Sequence, residues 1–313
     1  MQNRTTVTEF ILLGVSDTHD LNGFLFGLFL LMYIADISGN LAVAAITLWD
    51  PHLQTPMYFF IGNLSFIDVF YSSTTVPKMF LGLVSHSNRI PYGGCIAQMF
   101  FFHFLGSTEA MLLAVMGYYD RYLAVCHPLR YPLLMSRQLR LTLAASVWTA
   151  GFFHSLLHAL MMSRLSFCQD NQVAHFFCDI APLLALSCSD THINQALLAG
   201  VTGSIILGCF TFTLASYGYI LRAVVAMRSA EGLRRAFRTC GAHLTVVALH
   251  YGCAGAMYLR PRSEGSLGTD RAVTVLYTAV TPVLNPLIYT LRNKEVKTAL
   301  RWVLAKKVCV LQS

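Results

Sequence analysis

The sequence predicts an all-α membrane protein, folded as a bundle of seven transmembrane helices. The first observation is composition, since 55% of the 313 residues are hydrophobic and only 12% are charged. A water-soluble protein of this size needs a more polar surface. The second is a series of apolar stretches, each long enough for a membrane crossing of roughly 17 to 25 residues. The third is that the alternating segments of roughly ten residues typical of transmembrane β-strands are not seen.

Seven stretches meet the length requirement. The fourth and seventh are the clearest, because residues 141–163 and 272–291 contain no Asp, Glu, Lys or Arg. The sixth is the weakest, because Arg238 and His243 lie near its inner end. The predicted spans are 24–48, 57–80, 95–121, 141–161, 195–222, 239–259 and 272–291.

The basic residues predict how the bundle is oriented. Most of the 22 Lys and Arg residues lie in the loop 127–140, the segment 222–238 and the tail from residue 292. These segments share one side if seven helices alternate, and the positive-inside rule makes that side cytoplasmic. We therefore expect an extracellular N-terminus (1–23), a transmembrane domain (24–291) and a cytoplasmic tail (292–313) in the plasma membrane. The net charge of +7 then reflects topology, which argues against nucleic-acid binding.

The start of the chain lies outside in this topology. It lacks a basic region followed by an apolar core, so we expect no cleaved signal peptide. Asn3 opens an Asn-Arg-Thr acceptor for N-glycosylation on the outer side. Asn63 matches the same pattern but lies within the second predicted helix, where no transferase reaches it.

Four of the nine cysteines fall on the outer side, namely Cys95, Cys168, Cys178 and Cys188. In an oxidising compartment they predict two disulfides. Three pairings are open, and the sequence does not choose among them. The outer loop 162–194 is long for a connection without structure of its own. Two disulfides would make it a folded lid.

Two carboxylic acids are predicted at mid-membrane depth, Asp68 in the second helix and Glu109 in the third. Ionisable groups there are costly, and they mark functional sites by default. A facing pair of carboxylates could bind a cation such as Na⁺ or share a proton. The alternative is that each only hydrogen-bonds to neighbouring helices.

The inner ends of the helices suggest a switch. Asp120 can pair with Arg121, and loss of the partner would leave a buried arginine uncompensated. Pro286 follows Asn285 in the seventh helix and weakens it, because proline lacks an N–H group and clashes with the preceding turn. Tyr289 follows about one turn later. Such a helix can kink and repack between two states.

The outer halves of the helices mix small residues, hydroxyls and imidazoles with aromatic side chains. His103 and Ser107 are four apart and share a face, and His154 and His158 have the same spacing on the fourth helix. A mostly apolar region with a few polar groups is typical of a small-molecule pocket. The alternative is ordinary helix packing with satisfied histidines. The residues expected to line the pocket are His103, Gly106, Ser107, His158, Thr202, Ile205, Tyr251, Ala254, Gly255, Tyr258 and Thr278.

The charge of this region predicts the ligand class. It contains no intramembrane Lys or Arg, so we expect neutral ligands such as aldehydes, ketones, alcohols or esters over carboxylates. Arg260 or Arg262 in the pocket wall would contradict that expectation.

Several stretches taken together resemble the rhodopsin-like G-protein-coupled receptors, and within them the olfactory receptors of the class II, airborne-odorant type. The similarity covers nearly the whole chain. The stretches include "PMYFFIGNLSFID" (56–68), "YDRYLAVCHPLRYP" (119–132), "FFCDIAPLLALSCSD" (176–190), "RAFRTCGAHLTVV" (235–247) and "TPVLNPLIYTLRNKEVKTAL" (281–300). Single pieces are moderately specific, but in this order they are highly specific.

The resemblance implies an odorant receptor that activates a stimulatory, olfactory G protein and raises cyclic AMP from the ciliary membrane of olfactory neurons. It implies the pairs Cys95–Cys178 and Cys168–Cys188, and a mid-membrane cation site at Asp68 and Glu109 as the only candidate for a cofactor, Na⁺. It also implies a short amphipathic eighth helix at 293–304. The activation switch would comprise Asp120, Arg121, Tyr122, Tyr217, Asn285, Pro286 and Tyr289.

One departure from the family pattern concerns the switch. The family usually reads Met-Ala-Tyr-Asp-Arg-Tyr, whereas this chain has a second tyrosine, Tyr119 after Tyr118. One extra residue turns the rest of an α-helix by about 100°. Either a π-bulge near Gly117 absorbs the residue, or Arg121 points the wrong way and the receptor couples poorly.

Other functions fit less well. A retinal receptor needs a lysine in 272–291, and an amine receptor needs an acid in 96–108; both are missing. No nucleophile–base or metal-ligand spacing indicates an enzyme. A transporter would show matching broken helices in two halves. A non-olfactory peptide or small-molecule receptor stays open, because Arg260, Arg262, Glu264 and Asp270 lie near the predicted mouth.

Overall fold

The computed structural model describes residues 7–15, 21–85, 88–168, 171–226, 230–259 and 267–292. Seven long helical spans run through these residues, and three of them contain a π-helical segment. In chain order the α-helices are α1 (Asn22–Trp49), α2 (Pro56–Ser85), α3 (Tyr92–Val115), α4 (Leu123–Cys126), α5 (Tyr131–Leu134), α6 (Arg137–Ser163), α7 (Ile180–Ala185), α8 (His192–Leu197), α9 (Gly203–Ala226), α10 (Ala230–Tyr258), α11 (Leu267–Val275) and α12 (Thr281–Arg292).

The π-helical segments join shorter helices into continuous spans. Met116–Tyr122 connects α3 to α4 in the third span, Leu198–Thr202 connects α8 to α9 in the fifth, and Leu276–Val280 connects α11 to α12 in the seventh. The first, second, fourth and sixth spans are α1, α2, α6 and α10. Each predicted stretch coincides with one of these spans, so the prediction of a seven-helix membrane bundle is confirmed. The predicted eighth helix lies outside the described residues.

Five of the seven spans are long and apolar enough to cross a membrane by length and composition alone. The two others, α2 and α10, are 30 and 29 residues long. They are less apolar, because α2 carries the run Ser72-Ser73-Thr74-Thr75 and α10 begins with several charged residues. Their places in the bundle rest on their packing against the more apolar spans.

The bundle has an apolar outside. Large side chains such as Leu31, Trp49 and Phe153 are exposed on the helix surfaces, whereas Asp36 and Asn40 are buried. The amide nitrogen of Asn40 donates to the carboxylate of Asp36 at 2.6 Å and to the carbonyl of Pro282 at 3.1 Å, which ties the first span to the seventh. Apolar groups outside and satisfied polar groups inside suit lipid as the solvent.

A small sheet at the outer end was not predicted from the sequence. Strand β1 (Glu9–Leu12) pairs antiparallel with β2 (Arg89–Pro91) and parallel with β3 (Gln172–Val173). The sheet therefore joins the N-terminal segment to the outer loop. Phe10 is fully buried beneath it, in a second apolar cluster with Val173. Four residues paired with distant strands show too little alternation to be recognised as a strand locally.

Two disulfides hold the outer loop. Cys95 at the start of α3 is bonded to Cys178, and Cys168 is bonded to Cys188. These are the pairs that the resemblance implied. With the sheet they make the loop a folded lid over the bundle, as its length suggested.

Candidate functional site

A cavity lies in the outer half of the bundle, beneath the lid. It is small: the volume left free between its walls is about 30 Å³. The wall is aromatic and aliphatic with a few polar groups, and among the described residues none of those that line it is a Lys or Arg. The lining residues are Tyr71, Phe102, His103, Gly106, Ser107, Ala110, His154, Thr202, Ile205, Ile206, His250, Ala254, Tyr258 and Tyr277.

A carboxylate of the lid lies behind the roof of this cavity, against two of the residues that line it, His103 and Tyr258. Asp179 caps α7 by accepting the backbone N–H of Ile180, and it lies 2.9 Å from His103 Nε2. Tyr258 donates its hydroxyl to the same oxygen at a longer 3.4 Å. Burial raises the pKa of Asp179, but the hydrogen bond and charge of His103 outweigh burial, and the net pKa lies below its usual value. An ionised acid therefore lies behind the roof.

Thr202 organises the side of the cavity. Its hydroxyl lies 2.9 Å from His154 Nε2 and 3.0 Å from His158 Nε2. A hydroxyl has one proton, so it donates to one imidazole and accepts from the other. The π-helical segment Leu198–Thr202 carries this threonine. His154 faces the cavity, whereas His158 lies behind Thr202 and does not line it.

Seven of the eleven residues expected to line a pocket do line this cavity. The other four, His158, Tyr251, Gly255 and Thr278, lie off its wall. Tyr251 donates its hydroxyl to the carbonyl of Ala110 at 2.6 Å, and Thr278 donates to the carbonyl of Thr274 at 2.8 Å. Both hydroxyls are thus occupied within the helix packing.

Sequence reasoning missed Tyr71, Phe102, Ala110, His154, Ile206, His250 and Tyr277. His154 carried a usable signal, since its spacing from His158 put both on one helix face. The aromatic residues carried none, because buried rings in a helix are indistinguishable from core packing until their neighbours are known.

The two mid-membrane acids each face a partner from another span. The amide nitrogen of Asn285 donates to both carboxylate oxygens of Asp68, at 3.1 and 3.0 Å. Glu109 Oε1 lies 3.2 Å from His250 Nδ1. The four residues are nearly inaccessible, and Asp68 is close enough to Glu109 for the two charges to interact. The structure therefore brings Asp68 and Glu109, which were predicted at the same depth in the membrane, close together.

These acids have the chemistry for a monovalent cation. Asn285 Oδ1 and Glu109 Oε1 are buried oxygens that accept no well-aligned hydrogen bond, and oxygen atoms are the ligands that hard cations prefer. The described residues contain no group of three or more His, Cys, Asp or Glu side chains arranged for a metal ion. The residues therefore fit Na⁺ held by Asp68, Glu109 and Asn285 better than a transition metal.

The extra tyrosine in the third span is absorbed by a π-helix. The segment Met116–Tyr122 is π-helical, and Tyr118 packs outward against Phe212, with ring centroids 5.3 Å apart. A Cβ at Gly117 would make only an ordinary van der Waals contact with the methyl group of Thr213, at 3.4 Å. Of the two predicted consequences of the insertion, the structure shows the bulge.

As a result, Asp120 and Arg121 both point into the bundle. They are 1% and 3% exposed, and Arg121 Nε lies 3.5 Å from Asp120 Oδ2. Tyr131 in α5 donates its hydroxyl to Asp120. Burial, with the charge of Asp120, raises the pKa of the Tyr131 hydroxyl, so it stays protonated and able to donate.

Two of the remaining switch residues, Tyr217 and Tyr289, lie near the guanidinium. Arg121 is near enough to the hydroxyls of Tyr217 and Tyr289 to interact electrostatically with both. Tyr217 also lies 2.7 Å from His243 Nδ1. Tyr122 points away, stacked on Tyr118 at 5.2 Å. Pro286 lies within α12 and packs against Gly39 of the first span, where a Cβ would come within 3.2 Å of its ring.

Some predicted sites cannot be placed. Asn3, Arg260, Arg262 and the tail from residue 293 lie outside the described residues. Asp270 is in α11, but its side chain is also outside the description.

A lidded seven-helix bundle with an outer cavity, mid-membrane acids and a buried Asp-Arg pair is the architecture of a membrane receptor for small molecules. Comparison with known proteins agrees. A family model described as "Olfactory receptor" matches residues 29–307. Human olfactory receptor 12D1 is 51% identical over 314 residues, covering 98% of each chain. Human olfactory receptor 12D3 is 48% identical and mouse olfactory receptor 1M1 is 46% identical, each with 98% of both chains covered.

The chain belongs to the olfactory receptor family. It is an odorant receptor, and receptors of this family couple to G proteins and signal through cyclic AMP. It is a membrane protein and no enzyme.

Proposed function

We propose that this receptor binds small, neutral, volatile molecules in the outer cavity, and that binding shifts the Asp120–Arg121 switch to activate a stimulatory G protein. The observation that carries the ligand class is the cavity wall. It is mostly apolar, and no described Lys or Arg lines it. The ionised Asp179 lies behind His103 and Tyr258 of the wall, and its negative charge would disfavour a carboxylate ligand.

The polar groups of the wall supply orientation. His103 and Tyr258 lie at the roof, and Thr202 with His154 lies at the side. A ligand with one carbonyl or hydroxyl group can hydrogen-bond at either place, while its apolar part contacts Phe102, Ile205 and Ile206. Aldehydes, ketones, alcohols and esters meet this description.

The inner end supports coupling. Because the π-helix returns Arg121 to the interior, we infer that the insertion does not disable the switch. We also propose that the N-terminus lies outside, that Asn3 is glycosylated, that Asp68 and Glu109 bind Na⁺, and that the receptor works in the ciliary membrane of olfactory neurons. The distribution of Lys and Arg supports the orientation.

The test is a cyclic AMP reporter in cells with surface expression quantified. The panel pairs neutral odorants with carboxylic acids of matched chain length. Neutral members should activate the receptor, and Gly106→Val should abolish the response, because its Cβ alone would contact Tyr277 Oη at 3.3 Å. Gly208→Val is the control, since nothing lies within 4 Å of a Cβ there. Activation by acids alone, or a full response from Gly106→Val, would contradict the proposal.

A further inference from the structure

His250 contributes to both the outer cavity and the mid-membrane acid site. Its ring lines the outer cavity, and its Nδ1 lies 3.2 Å from Glu109 Oε1 in the mid-membrane acid site. The side chain is about 1% exposed, as is expected for a group packed between two sites.

We propose that His250 closes the acid site on the cavity side and limits the binding of Na⁺ to Glu109, so that a ligand contacting His250 changes cation binding below it. This proposal rests on the proposed ligand cavity and cation site.

The position of the ring supports a closing role. His250 contacts Tyr277 and Tyr251 edge-on, with centroids 5.3 Å away in both cases. These rings hold the imidazole between the cavity and Glu109. The nitrogen therefore lies against the carboxylate oxygen that a cation would bind.

The contact with Glu109 is close but poorly aligned. Neither His250 Nδ1 nor Glu109 Oε1 has a hydrogen-bond partner of good geometry, although both are buried. A buried polar atom without a partner is costly. Both atoms would gain from a better partner, which is the cation for Glu109 and the polar group of a ligand for His250.

Asp68, unlike Glu109 Oε1, already has a hydrogen-bond donor. Its two oxygens accept hydrogen bonds from Asn285 on the side of the seventh span. The coupling we propose therefore runs through Glu109 and not through Asp68.

The experiment measures the melting temperature of the purified full-length receptor in sodium chloride and in choline chloride of equal ionic strength. A cation that binds only the folded state raises Tm. His250→Phe keeps an aromatic ring and removes the nitrogen, so its sodium-dependent rise in Tm should exceed that of the native receptor by about 2 °C or more. Adding Glu109→Gln to this variant should cancel the increase.

Two further variants make the result specific. His154→Phe makes the same chemical change in the same cavity without touching either acid, so its sodium-dependent rise should match that of the native receptor. His250→Gln keeps an N–H group that can face Glu109 and should also resemble the native receptor; it provides the comparison if His250→Phe folds poorly.

Equal sodium effects in the native receptor and His250→Phe, including no effect in either, would overturn the proposal. A larger effect that survives Glu109→Gln would overturn it too. The readout needs no odorant and no G protein. A receptor that never raises cyclic AMP but shows the predicted sodium effects would contradict the proposed function and leave the role of His250 standing.

Discussion

Deleting Tyr118 tests whether the π-helix of the third span serves only to absorb one extra residue. Without it the run becomes Met-Gly-Tyr-Asp-Arg, which fits an ordinary α-helix with Asp120 and Arg121 on the same face as before. We expect signalling at the native level, because the bulge already places both side chains in the interior, 1% and 3% exposed. We expect the melting temperature to hold or rise, because π-helical turns are rare and mostly confined to single turns.

The matched control adds a residue instead. One alanine inserted between Tyr118 and Tyr119 exceeds what a single bulge absorbs, so Asp120 and Arg121 would turn by about 100°. For a side chain about 5 Å from the helix axis this is a displacement of about 8 Å. Asp120 would then lose the hydroxyl of Tyr131. Separating a buried charge from its partner costs about 3–5 kcal/mol, more than a hundredfold in the equilibrium between competent and incompetent states.

The assay is basal and odorant-evoked cyclic AMP, normalised to receptor at the cell surface. Native signalling in the deletion and its loss in the insertion are the expected pair of results. Loss of signalling in the deletion at normal surface levels would show that the bulge itself is needed for coupling. Native signalling in the insertion would refute the geometric argument.

Three further predictions concern packing, the switch and the lid. Gly151→Ala should lower the free energy of unfolding by about 1–3 kcal/mol, because its Cβ would lie 2.1 Å from Thr108 Oγ1; Gly208→Ala, with nothing within 4 Å, should leave Tm unchanged or higher. Tyr131→Phe removes the donor to Asp120 and should raise basal cyclic AMP per surface receptor. An unchanged basal level would show that this hydrogen bond does not restrain the switch. Asp179→Asn should lower Tm at neutral pH by the equivalent of about 1–3 kcal/mol, as it weakens the contact with His103. The pKa of Asp179 is held below the usual 3.8 of an aspartate, so the Tm difference between native and variant should persist as pH falls to about 4 and vanish only below that. A Tm difference that disappears between pH 7 and 5 would contradict an ionised Asp179.

Much of the architecture was predictable because lipid imposes a simple rule on local sequence. A segment that crosses a bilayer must be long, apolar and helical, and each of these properties is read within about 20 residues. The second tyrosine before Asp120 was also a local feature, and comparison with the usual family motif left two possibilities for the inner end of the third span, a bulge or a misdirected arginine. These are the parts of the protein that the sequence by itself determined.

Tertiary structure decided which polar groups meet. Strand β1 pairs with segments far away in the chain, and its four residues form no local pattern that predicts a strand. His158 and His154 share a helix face, yet only His154 lines the cavity. His158 instead contacts the hydroxyl of Thr202 in the fifth span. No sequence pattern singled out His250, and its position between the two sites depends on the packing of α10 against α3. In each case the deciding contact comes from a distant part of the chain. For the two helical cases, helical periodicity determines which residues share a face, whereas the rotation of that face and the side chain opposite it are set by contacts with other helices.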